Sequence, residues 1–347
     1  MVASGGPAVQ REGGRFMRWI RIIALAVVFV LVVALVVLWQ GPLAGVRTLQ
    51  QVDDYPLYVM QYRGTYLFDW YLTQGVDSPI FKALLRMNQS KLCTTFSART
   101  PEGDVLMGRN FDWEPHPALL LFTHPPGGYA SVSMVDMFYL GYDGPERSWM
   151  QRAALLYSPY VTVDGMNEHG LATSMLQVPC RGVPQETDKT TIVSNHIMRL
   201  ALDHARNVDE ALALLQDYDV SFPRACTHYF FADASGRSAV VEYIAGQPVV
   251  IHNSEPWQVV TNFLVNEEEP QGATSSCWRY NVAYERLALA RGTISAQEAM
   301  SIAHAASVPD TIWSVVYNLS SGEIDVVVGR DYEHVHSFRL PMQSKGQ

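Results

Sequence analysis

Cys93-Thr94-Thr95-Phe96-Ser97-Ala98 is followed, after Thr100-Pro101-Glu102-Gly103-Asp104, by Val105-Leu106-Met107-Gly108-Arg109-Asn110-Phe111-Asp112-Trp113. Pro, Gly and Asp between two apolar runs form a turn signal, so this stretch predicts a hairpin. The hairpin sets a thiol, a guanidinium and a carboxylate on two neighbouring strands. Arg109 is a permanent cation that favours a nearby thiolate, and Asp112 can orient a base, as the third group does in triad-like sites. A cut between Leu92 and Cys93 would supply that base. The freed α-amine titrates at about 7.7 to 8.0, close to where proton transfer near neutral pH needs it. Arg109 and Asp112 are three apart, which on an ideal strand sends them to opposite faces. A bend or bulge near Asn110 is therefore expected if both serve one site.

Downstream of the hairpin, Thr191 to Ala205 and Val208 to Leu215 place apolar residues at helical spacing. Short strands follow at HYFFADA, SAVVEYIA, PVVIHN and WQVVTN, then a helical block from Ser275 to Ala290. Ser295-Ala296-Gln297-Glu298 is a capping box for a further helix that stops before Pro309, and WSVVYN and EIDVVVG close the chain around Ser320-Ser321-Gly322. Grouped strands and grouped helices without βαβ alternation predict an α+β fold, a four-layer αββα sandwich.

The segment before Cys93 divides in two. Ile22 to Trp39 is uncharged and spans about 27 Å as a helix, enough for a hydrocarbon core. Arg11, Arg15, Arg18 and Arg21 precede it, while Asp53 and Asp54 follow, so the positive-inside bias puts residues 1–21 in the cytoplasm and the rest outside. The expectation is a single-pass signal anchor in the cell membrane, over 22–39. A cleaved signal, the alternative, normally has a shorter apolar run and a small-x-small exit. Residues 41–92 are too aromatic for a solvated tether (Tyr55, Tyr58, Tyr66, Phe68, Trp70, Tyr71) and read as a pro-segment packed on a domain spanning 93–347.

With 347 residues, 48% hydrophobic and 17% charged, the chain can bury a large core. A net charge of -9 with no basic run after residue 21 excludes a nucleic-acid partner and favours a small neutral or amphiphilic substrate. If Cys93 stays reduced, Cys180, Cys226 and Cys277 leave room for at most one disulfide, whose partners spacing does not assign.

The ordered set Cys93-Thr94, Gly108-Arg109-Asn110-x-Asp112-Trp113, Asn167-Glu168-His169-Gly170-Leu171-Ala172 with Pro179, Thr261-Asn262 and Ser275-Ser276-x-x-Arg279 resembles the choloylglycine hydrolase family. That family contains conjugated bile acid hydrolases and penicillin V acylases, and its relatives include acyltransferases; all are N-terminal-nucleophile (Ntn) hydrolases. The resemblance covers residues 93 to 330 or so. It implies that Cys93 attacks an amide carbonyl after self-cleavage, with Arg109 and Asp112 beside it. It further implies that Asn262, with a backbone N–H near Val178, forms the oxyanion hole, and that Arg279 is a second active-site arginine. Gln177 falls where the family often carries Asn, and Gln177, Val178 and Asn167 are taken as substrate-binding.

His334 and His336 would share a strand face, but a third ligand at zinc-like spacing is not near them. His169 reads as a structural donor in its turn. With no phosphate loop or dinucleotide fingerprint, no cofactor is expected. The expected function is a self-processing cysteine amidase acting on a linear non-peptide amide through a thioester. The alternatives are an acyltransferase that uses the same thioester and a catalytically silent ligand-binding ectodomain.

Overall fold

The computed structural model describes residues 20–21, 23–25, 27–30, 39–77, 92–142, 149–182, 187–223, 225–268 and 275–343. Its first strands are β1 (Gln50–Asp53), β2 (Leu57–Arg63), β3 (Leu92–Arg99), β4 (Val105–Asp112), β5 (Ala118–His124), β6 (Ser131–Asp136), β7 (Thr162–Asn167) and β8 (Ala172–Gln177). There follow β9 (Thr190–Val193), β10 (Tyr218–Ser221), β11 (Thr227–Ala232), β12 (Ser238–Ile244), β13 (Gln247–His252), β14 (Gln258–Val260), β15 (Thr311–Asn318), β16 (Glu323–Val328) and β17 (His336–Arg339). The helices are α1 (39–46), α2 (Phe68–Gln74), α3 (Trp149–Ala154), α4 (His196–His204), α5 (Val208–Leu215), α6 (Val265–Glu268), α7 (Trp278–Leu289) and α8 (Ala296–Ala305).

Two sheets carry the fold. One runs β1-β2-β5-β6-β7-β8-β11-β12-β13 and the other β14-β3-β4-β15-β16-β17, with β9 and β10 as a separate parallel pair. Because side chains alternate across a strand, each strand feeds two cores. Leu120, Phe230, Phe111 and Trp313 fill the space between the sheets. Leu119, Leu121, Tyr229 and Phe231 turn the other way, onto Ile197, Leu200 and Ala211 of α4 and α5. On the far side Phe96, Leu106 and Val316 meet Tyr280, Leu287, Met300 and Ile302 of α7 and α8. Three cores separate four layers, the αββα order expected from the sequence. Each fully buried large apolar side chain contributes about 1.5 to 3 kcal/mol.

Several elements depart from the sequence reading. The helical block expected from Thr191 begins at His196, because Thr190-Thr191-Ile192-Val193, rich in β-branched residues, pairs with β10 instead. The segment before Cys93 does more than lie on the domain. Strand β2 pairs in parallel with β5 from Leu57 opposite Ala118 to Arg63 opposite His124, so it is built into the large sheet. Helix α1 sits close on β2. A Cβ added at Gly41 or Gly45 would stand 2.9 Å from the carbonyl oxygens of Arg63 and Gln61. Among the described residues no helix is long and apolar enough to cross a membrane. The span expected over 22–39 falls mostly outside the described residues.

One disulfide joins Cys180 to Cys226, linking the chain after β8 to the chain before β11. Cys93 and Cys277 keep their thiols.

Candidate active site

Strand β3 carries Cys93 as its second residue, 1% exposed, with its side chain in the core between the sheets. Arg109, opposite Thr95 on β4, shares that face and is fully buried. Its Nη2 donates to Cys93 Sγ at 3.3 Å and to Met175 O at 2.9 Å, its Nη1 to Thr95 Oγ1 at 3.0 Å, and its Nε to Asp164 Oδ2 at 2.8 Å. Burial alone would lower the pKa of Arg109, but the charges of Cys93 and Asp164 outweigh it and raise the value, so the cation persists beside the sulfur. Asp164 also accepts from Tyr317 OH at 2.6 Å and Trp313 Nε1 at 3.2 Å. Burial pushes its carboxyl upward, and Arg109 and these donors oppose that. Asp164 is a site residue that the sequence reading misses. It comes from the other sheet, at β7, and nothing adjacent to it in the chain marks it.

The opposite face of the hairpin holds Asp112. Strand β4 keeps unbroken register with β3 from Leu92 opposite Asp112 to Arg99 opposite Val105, so the bend expected near Asn110 is absent. The irregularity falls on β15 instead, between Thr311 and Trp313. Arg109 and Asp112 therefore do face opposite ways. Arg109 meets the sulfur of Cys93. Asp112 is linked to its main chain through Arg279 of α7, which donates through Nη1 to Cys93 O and to Thr94 Oγ1 (3.1 Å) and lies 3.6 Å from Asp112 Oδ2. Thr311 Oγ1 donates to Asp112 Oδ1 at 2.6 Å. Burial raises the Asp112 carboxyl to about 6, against the pull of Thr311, Arg279 and Arg109.

Asn262, two residues past β14, completes this side. Its Oδ1 accepts from Cys93 N at 2.6 Å and Arg279 Nη2 at 2.9 Å, while its Nδ2 donates to Gln177 O at 2.8 Å. Two donors on one atom and a carbonyl facing the other fix the amide orientation. In this uncut chain Asn262 thus presents its oxygen to Cys93.

Two expected substrate contacts are engaged elsewhere in the uncut chain. The Val178 N–H donates to Cys226 O at 2.9 Å, continuing the β8 to β11 ladder. Asn167 is fully buried. Its Nδ2 donates to Leu202 O and Ala205 O, and its Oδ1 accepts from the amides of His169 and Leu171. It ties its own turn to the end of α4 and cannot reach a substrate. His169 takes part in that turn and sets its ring against Tyr129. His334 lies in a turn, 2.8 Å from Asp331, whereas His336 on β17 meets Asp53 at 2.6 Å, so the two do not converge.

A family model described as acyl-coenzyme A:6-aminopenicillanic acid acyl-transferase matches residues 153–333, over half of the chain. The chain belongs to this family. That places it with the choloylglycine hydrolase and penicillin V acylase-like Ntn group to which its motifs point. The matched stretch includes Asn167, Gln177, Val178, Asn262 and Arg279, and begins after Cys93, Arg109 and Asp112. Penicillin V acylase of Pectobacterium atrosepticum is 34% identical over 113 residues, a stretch covering 29% of this chain and 30% of that protein. The fold resembles penicillin V acylase of Agrobacterium tumefaciens, with TM-score 0.52, 20% identity, and 72% of this chain and 86% of that one covered. It also resembles a mutant conjugated bile acid hydrolase of Clostridium perfringens, with TM-score 0.53, 16% identity, and 72% and 92% covered.

Proposed function

We propose that this family member is a membrane-anchored, self-processing cysteine amidase that hydrolyses a linear, non-peptide N-acyl amide through a thioester on Cys93. The observation that carries the reading is that three side chains meet at one residue. Arg109 stands 3.3 Å from the sulfur, while Asn262 and Arg279 hold the amide nitrogen and carbonyl of Cys93. The uncharged run over 22–39, flanked by arginines on one side, supports the anchor.

In the first step Cys93 Sγ attacks the Leu92 carbonyl, the peptide C–N bond breaks and frees the α-amine, and water hydrolyses the resulting thioester to release the Leu92 carboxylate and the Cys93 thiol. That amine then takes the thiol proton as Sγ attacks the substrate carbonyl, and returns it to the departing amine when the C–N bond breaks. Water hydrolyses the thioester and restores the thiol. Asp112 orients the α-amine, Arg109 stabilises the thiolate, and Arg279 steadies the Cys93 carbonyl. Asn262 becomes an oxyanion donor once its Nδ2 leaves Gln177 O.

Intact mass and N-terminal sequencing of purified protein test this, with penicillin V and a conjugated bile acid as probe substrates. The expected result is a chain starting at Cys93 and its absence in Cys93→Ala. An active protein left uncut through position 93 would overturn the reading. The description of the matching family favours one second reading, in which an amine rather than water takes the acyl group. Acylated amine formed at the expense of free acid, when amine acceptors are added, would decide for it.

A further inference from the structure

Two buried titratable side chains outside this network converge on the segment that carries Asn262. His228 on β11 and Glu242 on β12 are both fully buried, and His228 Nδ1 lies 3.0 Å from Glu242 Oε1. The other ring nitrogen, Nε2, lies 2.8 Å from Thr261 O. A carbonyl can only accept, so Nε2 is the donor there. Glu242 accepts the Val265 amide on Oε1 at 2.7 Å and the Asn266 amide on Oε2 at 3.1 Å. The pair therefore holds the chain at 261, 265 and 266, on both sides of Asn262.

This segment has little regular structure of its own. Strand β14 before it is three residues long and helix α6 after it is four. Yet Asn262 must meet Cys93 N and Arg279 within hydrogen-bond distance at once. A carboxylate and an imidazole buried without a role would cost free energy, because a polar group out of water is destabilising unless it is hydrogen-bonded. Here Nε2, Oε1 and Oε2 each meet a backbone group of the opposite kind on the Asn262 segment, and Nδ1 faces Oε1.

We propose that His228 and Glu242 are positioning residues of the amidase, a clamp that holds the Thr261 to Asn266 segment and thereby sets Asn262 against Cys93. The proposal rests on the reading of the Cys93 site above. It assigns a role in catalysis to two strand residues that touch neither substrate nor nucleophile.

The test measures acylation of the processed enzyme by 4-nitrophenyl acetate, followed as nitrophenolate release, with the acetyl group located on Cys93 by peptide mass. Rates are taken well below the melting temperature and expressed per folded molecule. Glu242→Gln turns an amide NH2 toward one of its backbone donors, and His228→Ala removes both contacts. Each is expected to slow acylation about tenfold to a hundredfold, the scale of a displaced catalytic group. His228→Gln, whose side-chain amide can still donate to Thr261 O, is expected to recover part of the loss. Wild-type rates per folded molecule in Glu242→Gln, or a His228→Gln enzyme no faster than His228→Ala, would overturn the clamp. If His228→Ala does not fold, Glu242→Gln alone decides. A wild-type protein left unlabelled at Cys93 removes the reading beneath the clamp, and the clamp with it, whereas labelled wild type with unaffected variants removes only the clamp.

Discussion

Asp112 has a carboxyl lifted by burial to about 6, and it must be ionised to accept a hydrogen bond from the Cys93 α-amine. Activity should therefore rise with pH through about 6, and Asp112→Asn should lower the activity strongly and remove the step near pH 6 from the kcat/KM profile of what remains. For stability the sign reverses. The folded chain binds this proton more tightly than the unfolded one, so the contribution of Asp112 becomes less favourable as pH rises from about 4 to 6. Asp164 matters differently, because among the described residues it is the carboxylate paired with the fully buried Arg109. Asp164→Asn leaves that cation uncompensated and should cost about 3 to 5 kcal/mol in urea unfolding. A loss under 1 kcal/mol would show that Arg109 does not depend on it. At this scale the sequence discloses residues adjacent to a motif and hides those brought in by the opposite sheet. Cys93, Arg109 and Asp112 announce one another along one hairpin. Asp164 has no such neighbours, and Asn167, inside a motif, proves to be a staple for α4.

At the level of elements, the hairpin of β3 and β4 is legible because its turn residues and its apolar runs agree. Gly108 is part of that agreement for a reason its motif does not state. A Cβ there would fall 2.2 Å from the tip of the Phe96 ring, which packs across it toward α7 and α8. Gly108→Ala is expected to destabilise by about 1 to 3 kcal/mol through overpacking, read as a lower urea midpoint with unchanged slope. An unchanged midpoint would mean that Phe96 moves aside without penalty. Strand β9 is less legible, since Thr190 to Val193 continues into helix α4 with apolar residues that fit either period. Only its pairing with β10 settles the choice. Strand β5 shows the same limit. Its run ALLLFTH is buried on both faces, feeding the inter-sheet core and the core under α4 together, so no alternation marks it.

Across the whole molecule, the proposed cut at Cys93 would sever the covalent link between the piece holding α1, β1, β2 and α2 and the domain on which it packs. Sequence alone cannot foresee this arrangement, because β2 pairs in parallel with β5 on the far side of that bond. The disulfide offers no covalent link across the cut, since Cys180 and Cys226 both lie beyond it. The links that remain include the ladder from Leu57 to Arg63, the buried Leu57, Tyr58, Met60, Tyr66 and Tyr71, and polar ties from Tyr66 OH to Asp203 and from the Val193 amide to Tyr71 OH. A further tie joins Asp53 to His336 at 2.6 Å, reaching the other sheet. Removing this piece would bare one edge of β5 and uncover both apolar faces at once. The processed enzyme should therefore elute in native size-exclusion chromatography as one particle of full-chain mass, and split into two bands on a non-reducing denaturing gel. Leu57→Asp, which buries a carboxylate in the inter-sheet core, should release the shorter piece. Active native material lacking that piece would show that the large sheet holds without β2.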